Sequence, residues 1–198
     1  MLHSTPILFA RICFVLLFLS SACTDESSLP PGACEGNFDV TTPEDIGVLT
    51  ECTSISGDLN IYCDHCTDLD GLESLTSIGG VLLIYGPALE NIDGLGNLTK
   101  VSSSLDVTGN MSLAHLDGLS SLAEVGQNLT IMQNDALTNL DGLSALTSVG
   151  WTVQVAGNDG LPDCEACDLL DQLGAVPDDI LVEANLDDAC TPVPDNCP

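Results

Sequence analysis

The sequence predicts an all-β chain: a right-handed parallel β-solenoid of about five coils, with short helical caps at its N- and C-terminal ends. Three observations predict it. The first is a repeat, with five copies of one 23–24-residue unit starting at Thr53, Thr76, Thr99, Ala123 and Thr147. A fixed period of this length marks a solenoid, in which each coil buries its apolar face only by stacking on its neighbours. The second is a pair of apolar slots two residues apart: Leu59 and Ile61, Leu82 and Ile84, Leu105 and Val107, Leu129 and Ile131, Val153 and Val155. That spacing is the strand period, and it predicts one short strand per coil, stacked in parallel about 4.8 Å apart. The third is a set of further apolar ladders. Ile55, Ile78, Val101, Val125 and Val149 share one slot; Leu89, Leu113, Leu137 and Leu161 share another; Ile92, Leu116 and Leu140 share a third. Together they make one continuous core. The end rungs of such a stack keep open backbone edges, so both ends need caps.

Residues 1–22 read as a signal peptide. Arg11 is their only Lys or Arg, and Ile12 to Leu19 is an apolar run too short to span a bilayer. Ser20 and Ala22 are the small residues that signal peptidase accepts, which places the cut after Ala22. Cys23 follows at once, as in a bacterial lipobox, and is expected to carry lipid that holds the protein to a membrane; plain secretion is the alternative. Residues 23–33 then form a lipid-anchored flexible tether. Residues 34–190 are the solenoid, with repeats at 53–75, 76–98, 99–122, 123–146 and 147–170, and residues 191–198 an irregular Cys/Pro tail.

At the N-terminal end, Cys34 and Cys52 bracket a segment in which Thr42-Pro43-Glu44-Asp45 reads as a helix start, with Pro at N1 and acid in the first turn. At the other end the fifth unit loses its Leu-Asp-Gly-Leu. Pro162, Asp163 and Glu165 start a helix instead, Leu169, Leu170 and Leu173 line one side, and Gly174 ends it. This helix is expected to hide the backbone edge of the last rung. The tail from Pro177 onward is expected to be mostly irregular.

The unit Thr-Ser-Ile-Gly-Gly, then Leu-x-Ile, then Asn-x-x-Leu-x-x-Leu-Asp-Gly-Leu-x-x-Leu resembles the receptor L domain. Such domains form the ligand-binding ectodomains of insulin- and epidermal-growth-factor-type receptors, and similar ones occur in secreted bacterial lipoproteins and fungal cell-wall proteins. The resemblance runs from about Cys34 to Cys190. It implies a leucine-rich-repeat-like solenoid, an N-terminal cap closed by a disulfide, and a sheet face that takes ligand. No second L domain, Cys-rich module, membrane helix or kinase is read in these residues, so it does not imply receptor signalling.

Eight cysteines follow Cys23: Cys34, Cys52, Cys63, Cys66, Cys164, Cys167, Cys190 and Cys197. An even number in an exported chain reads as disulfides, with roughly a hundred pairings open. Cys63/Cys66 and Cys164/Cys167 are both CxxC. Four rungs hold them roughly 19 Å apart, too far to share a zinc ion with Zn–S bonds of about 2.3 Å. No thioredoxin-like pattern surrounds either pair. Cys66 and Cys164 stand in slots that hold Leu or Ile elsewhere, so both are expected to point inward. Cys190 and Cys197 are expected to fix the tail as Cys164–Cys190 and Cys167–Cys197.

The chain has 30 acidic residues, and beyond Arg11 only Lys100 is basic. This excludes electrostatic binding to nucleic acid or anionic lipid. It fits either a hydrated acidic surface in a saline medium or divalent cation binding; the first is preferred. Asp70, Asp93, Asp117 and Asp141 recur in the Asp-Gly-Leu slot and are expected to bond their own turn backbone rather than calcium. Asn110, Asn134 and Asn158 are expected to do the same in another turn. Asn97, Asn110 and Asn128 open glycosylation sequons, relevant only in a eukaryotic host. His65 and His115 lie on different coils, and no HExxH, GxSxG or phosphate-loop pattern is present. No catalytic residue, metal site or cofactor is expected.

The outward residues of the stacked strands form the candidate surface: Asp58, Asn60, Tyr62; Val81, Leu83, Tyr85; Ser104, Asp106, Thr108; Asn128, Thr130, Met132; Thr152, Gln154, Ala156. Tyr62, Tyr85, Val81, Leu83 and Met132 make it partly apolar. Asp106, Thr130 and Gln154 continue it, and Trp151 either extends it or covers the C-terminal edge. Such a patch is either cross-strand packing or a recognition site. The functional expectation is a non-enzymatic, surface-tethered recognition or adhesion lipoprotein binding a protein or glycan. The alternative is a structural envelope component with no soluble ligand.

Overall fold

The computed structural model describes residues 30–173, 179–183 and 185. The expected signal peptide, Cys23, most of the expected tether, Gly174, Pro177, Cys190 and Cys197 lie outside the described residues. In chain order the elements are β1 (Ala33–Cys34), β2 (Phe38–Val40), α1 (Pro43–Ile46), β3 (Ser54–Ile55), β4 (Leu59–Tyr62), β5 (Ser77–Ile78) and β6 (Leu82–Tyr85). Then come β7 (Lys100–Val101), β8 (Leu105–Thr108), β9 (Glu124–Val125), β10 (Leu129–Met132), β11 (Ser148–Val149), β12 (Thr152–Ala156), α2 (Asp163–Gln172) and β13 (Asp179–Glu183).

The strands form two parallel sheets, a β-solenoid-like architecture. The short strands stack in the order β1-β3-β5-β7-β9-β11 and the longer ones in the order β2-β4-β6-β8-β10-β12-β13. The predicted slots are in register, with Leu59 beside Leu82, Leu105 beside Leu129, and Leu129 beside Val153. One strand per unit is therefore a correction, because each unit supplies two. The slot of Ile55, Ile78, Val101, Val125 and Val149 belongs to the second sheet. Three residues at the corner separate it from the Leu-x-Ile pair. Both apolar sets still face inward, and every one of these residues is buried.

The third side of the first four coils holds the Leu/Ile-Asp-Gly-Leu signature. Asp93–Leu95, Asp117–Leu119 and Asp141–Leu143 are 3-10 turns. The predicted aspartate bonding does not occur: among the described residues these carboxylates make no turn hydrogen bond and face solvent. The residue two places earlier does that work. The Asp93 N–H donates to Asn91 Oδ1 (3.3 Å), that of Asp141 to Asn139 Oδ1 (3.2 Å), and that of Asp70 to Asp68 Oδ1 (3.2 Å). Glycine carries the recurrence for a different reason. A Cβ on Gly94, Gly118 or Gly142 would overlap the carbonyl oxygen of Leu69, Ile92 or Leu116 on the preceding coil.

Asn110, Asn134 and Asn158 are fully buried and mainly serve the neighbouring coils; only Asn158 Nδ2 also bonds within its own turn, to the Ala156 carbonyl (3.3 Å). Asn134 Oδ1 accepts both the backbone N–H of Asn110 (3.1 Å) and its Nδ2 (2.9 Å). Asn134 Nδ2 in turn donates to the Val107 carbonyl (3.0 Å) and to Asn158 Oδ1 (3.1 Å). Asn185 extends the column, accepting from the Asn158 N–H (3.2 Å) and Nδ2 (3.0 Å). At its N-terminal end the column stops at the Gly86 N–H, which donates to Asn110 Oδ1 (2.8 Å). Proline at 87, which has no N–H, occupies the asparagine slot there. One unit earlier the Cys63–Cys66 disulfide fixes the corresponding turn. The Asn110 sequon is thus closed to any modifying enzyme in the folded protein.

The N-terminal cap is held by the Cys34–Cys52 disulfide and by α1. Asp45 Oδ2 accepts from the backbone N–H groups of Thr41 and Thr42 (2.9 Å each). At the other end the cap differs from the expectation in two ways. The backbone edge of β12 is covered by β13, not by the helix, with Val153 beside Ile180 and Val155 beside Val182. Within the tail expected to be mostly irregular, Asp179–Glu183 is a strand that was not foreseen: Ile180, Val182 and Asn185 repeat the Leu-x-Ile and Asn slots. Asn185 falls 27 residues after Asn158 where earlier intervals are 24, which takes it out of register. Helix α2 instead covers the 3-10 side. Its Gln172 Nε2 donates to the carbonyls of Leu143 (2.8 Å) and Leu146 (2.7 Å), and Glu165 Oε2 accepts the Leu140 N–H (3.0 Å). Cys164 and Cys167 on α2 are both disulfide-bonded. Cys164 is half-buried and not fully inward, because the helix replaces the turn that buries Leu140 one unit earlier.

Candidate sheet-face binding site

The outer side of the seven-stranded sheet is built by alternation. In β4 and β6 the first and third residues are buried, while the second and fourth face out. Parallel register then lines outward residues into rows. The central row runs Asp39, Asn60, Leu83, Asp106, Thr130, Gln154 and Leu181. Beside it, Tyr62 stands next to Tyr85, and Met132 next to Ala156. Leu181 was missed in the sequence because β13 is out of step with the repeat; the Ile180-x-Val182 spacing is the signal that marks it.

Tyr62 and Tyr85 are exposed by 50% and 38%, so both rings present a solvent face. Their centroids lie 6.4 Å apart with a 48° tilt, a favourable aromatic contact. Neither hydroxyl has a hydrogen-bond partner among the described residues. Tyr85 also leans over Gly109, whose φ is +69° and where a Cβ would come within 2.6 Å of Tyr85 Cε2. The ring's inner edge is thereby fixed while its outer face stays open. Val81 and Leu83 are half-buried beside the tyrosines.

The structure does not gather all the predicted residues at one spot. Tyr62, Val81, Leu83 and Tyr85 sit on or next to β4 and β6. Asp106, Thr130, Met132 and Gln154 spread over β8, β10 and β12. Trp151 is 55% exposed before β12, four strands or roughly 19 Å from β4. Ser104 and Ala156, expected to face out, are buried instead. Ser104 Oγ turns to accept the Asn128 N–H (3.4 Å), and Ala156 lies against the added strand β13.

The face is acidic. Asp58 is used within the fold, its Oδ1 accepting the Val81 N–H (2.8 Å). Asp39 Oδ1 accepts from Asn60 Nδ2 (2.9 Å). Asp106, half-buried between Leu83 and Thr130, makes neither a hydrogen bond nor an ion pair among the described residues. Lys100 lies on the other sheet, paired with Glu124 at 2.8 Å.

Elsewhere, a groove of about 120 Å³ between α2 and the Asp141–Leu143 turn is lined by Asp141, Glu165, Asp168 and Gln172. It is smaller than an ordinary ligand pocket. Among the described residues no three His, Cys, Asp or Glu side chains come together to hold a metal ion. His65 is exposed, and His115 Nδ1 lies 3.3 Å from Asn139 Nδ2. No described helix is long and apolar enough to cross a membrane. The disulfides fit an oxidising, extracellular setting.

No curated protein matches the chain significantly. The family model of the receptor L domain, a ligand-binding type of domain, matches residues 51–117. That stretch holds β3 to β8, with both tyrosines and Leu83. With this match and two parallel sheets built from registered leucine-rich units, the chain is similar to the receptor L domain over residues 51–117.

Proposed function

We propose that this protein is a surface-tethered recognition or adhesion module that binds a protein or glycan through the outer face of its seven-stranded sheet. One observation carries the reading: Tyr62 and Tyr85 expose their rings side by side on a flat sheet face, next to Leu83. Exposed apolar patches and interfacial tyrosine are both marks of binding surfaces. The solenoid behind the face is a right-handed stack of five repeat coils between its caps, and lipid on Cys23 holds it at the cell envelope. The face binds; it does not catalyse.

The test is a pull-down from envelope extract with the folded chain, compared with a Tyr62→Ala/Tyr85→Ala variant. The variant should lose the captured partner while keeping its circular dichroism spectrum. Equal capture by both proteins would remove the face from the reading. Tethering has its own test: wild type should partition into detergent, and Cys23→Ser should be released or left uncleaved. Mature protein of unmodified mass in the soluble fraction would establish plain secretion.

A second reading, a structural envelope component, draws on the seating of Tyr85 over Gly109 and against Tyr62. On that reading the tyrosines serve the sheet alone, and their removal lowers stability without loss of a partner.

A further inference from the structure

We infer that the occupant of this face is a basic polypeptide segment, with a Lys or Arg side chain seated on the Tyr62–Tyr85 pair and Asp106 as its counter-ion. This rests on the sheet-face reading and narrows it to one class of partner.

Three features point there. The first is shape. Seven parallel strands make a surface roughly 29 Å across. A sheet surface of that width matches an extended chain or a protein face. The second is the composition of its centre. Leu83 is flanked by Asn60 on one strand and Asp106 on the next, with Tyr85 two residues further along β6. An apolar floor, two open rings and a carboxylate match the three parts of a long basic side chain: its methylene stem, its cation over an aromatic face, and its charge. The third is an unmet charge. Among the described residues Asp106 is half-buried with no hydrogen bond or ion pair, and their one Lys or Arg, Lys100, is committed to Glu124 on the opposite sheet. A cation from outside the chain supplies what the chain does not. Glu183, which ends β13, adds negative charge at the far edge of the same face.

The overall charge would attract any cation loosely, so the test must separate the site from the general field. The full exported chain is titrated with a short peptide of alternating Lys and Val, with the same peptide carrying Gln for Lys, and with a chitin oligosaccharide. The Lys peptide should bind and the other two should not. Asp106→Asn and Tyr85→Ala should each weaken it by about threefold or more. Asp141→Asn, an equal loss of charge on the 3-10 side, should leave it unchanged.

Equal weakening by Asp106→Asn and Asp141→Asn would overturn the inference in favour of diffuse attraction. Binding of the Gln peptide or the oligosaccharide, lost in Tyr85→Ala, would overturn the basic partner while leaving the sheet face as a binding site. Absence of binding by the Lys peptide would overturn the inference alone, because the envelope pull-down judges the face independently.

Discussion

At the scale of single residues, the asparagine column holds the buried side-chain hydrogen bonds of the described core. Asn134 and Asn158 each accept two bonds from one neighbouring coil and Asn110 accepts one, and all three return their own donors to backbone and side-chain oxygens. Asn134→Ala would strand the Asn110 N–H in a dry interior, leave Asn110 Nδ2 with the Ile84 carbonyl alone, and take a side-chain donor from the Val107 carbonyl. Leaving a buried polar group unpaired costs about 1–3 kcal/mol, so a loss of at least about 2 kcal/mol is expected from urea unfolding. Asn185→Ala, at the half-buried end of the column, should cost less. Gly118→Ala tests the contact between coils. Its Cβ would overlap the Ile92 carbonyl oxygen, and backbone cannot yield as a side-chain tip does. About 1–3 kcal/mol of destabilisation is expected from thermal unfolding. The sequence showed these residues to recur but misplaced their purpose. Asn and Asp-Gly read locally as turn formers, while here the partner lies one coil away. A periodic contact between units leaves no mark within one unit.

Among the elements, the two caps work by different chemistry. In the N-terminal cap the backbone N–H groups of Thr41 and Thr42 hold the Asp45 carboxyl below its ordinary range. A carboxylate with a lowered folded-state pKa stabilises above its unfolded value and loses that contribution as pH falls through the folded one. The cap should therefore keep its full bonding at neutral pH and loosen only below the usual carboxylate range. In Asp45→Asn the Thr41 and Thr42 amides should exchange faster already at pH 7, by NMR hydrogen exchange; unchanged rates would contradict the assignment. At the C-terminal end, α2 substitutes side chains for the bonds that another coil would supply. Glu165→Ala should deprotect the Leu140 amide, and Gln172→Ala should expose the Leu143 and Leu146 carbonyls, raising proteolytic nicking after α2. The helix start at Pro162 was legible from Pro and acid alone. Strand β13 was not, because a three-residue lengthening put Ile180 and Val182 out of step, and proline on either side read as irregular chain. The predicted Cys164–Cys190 and Cys167–Cys197 bonds are tested by peptide mapping without reduction, and a bond from either tail cysteine to the N-terminal half would refute them.

Across the whole molecule, charge and core oppose one another. The fold buries continuous Leu, Ile and Val ladders, yet carries a formal charge of −28. Like charges on one body destabilise it, and salt screens them beyond roughly 10 Å at 0.1 M. The urea midpoint should therefore rise between low and high salt. A flat or falling salt profile would show that the carboxylates lie too far apart to matter. The repeat made the architecture legible in advance, because apolar spacing dictates which side chains face inward. The candidate face was legible as a list of outward residues but not as a grouping. Register places Tyr62, Leu83 and Tyr85 together, whereas Trp151 is held several strands away.

The asparagine column also bears on how such a chain can change length over evolutionary time. The asparagines bond mainly to the units on either side of their own, through the same side-chain atoms. Excision of residues 99–122 as one block would bring the Gly86 N–H to Asn134 Oδ1, the same pairing it now makes with Asn110. Duplication of that block would insert one more asparagine between two existing ones. Gain or loss of a whole unit is thus nearly silent for the interior, while gain or loss of a few residues breaks the column and both sheets together. Genes encoding this architecture should drift in copy number by unit-sized steps, and the width of the exposed face should grow or shrink with them.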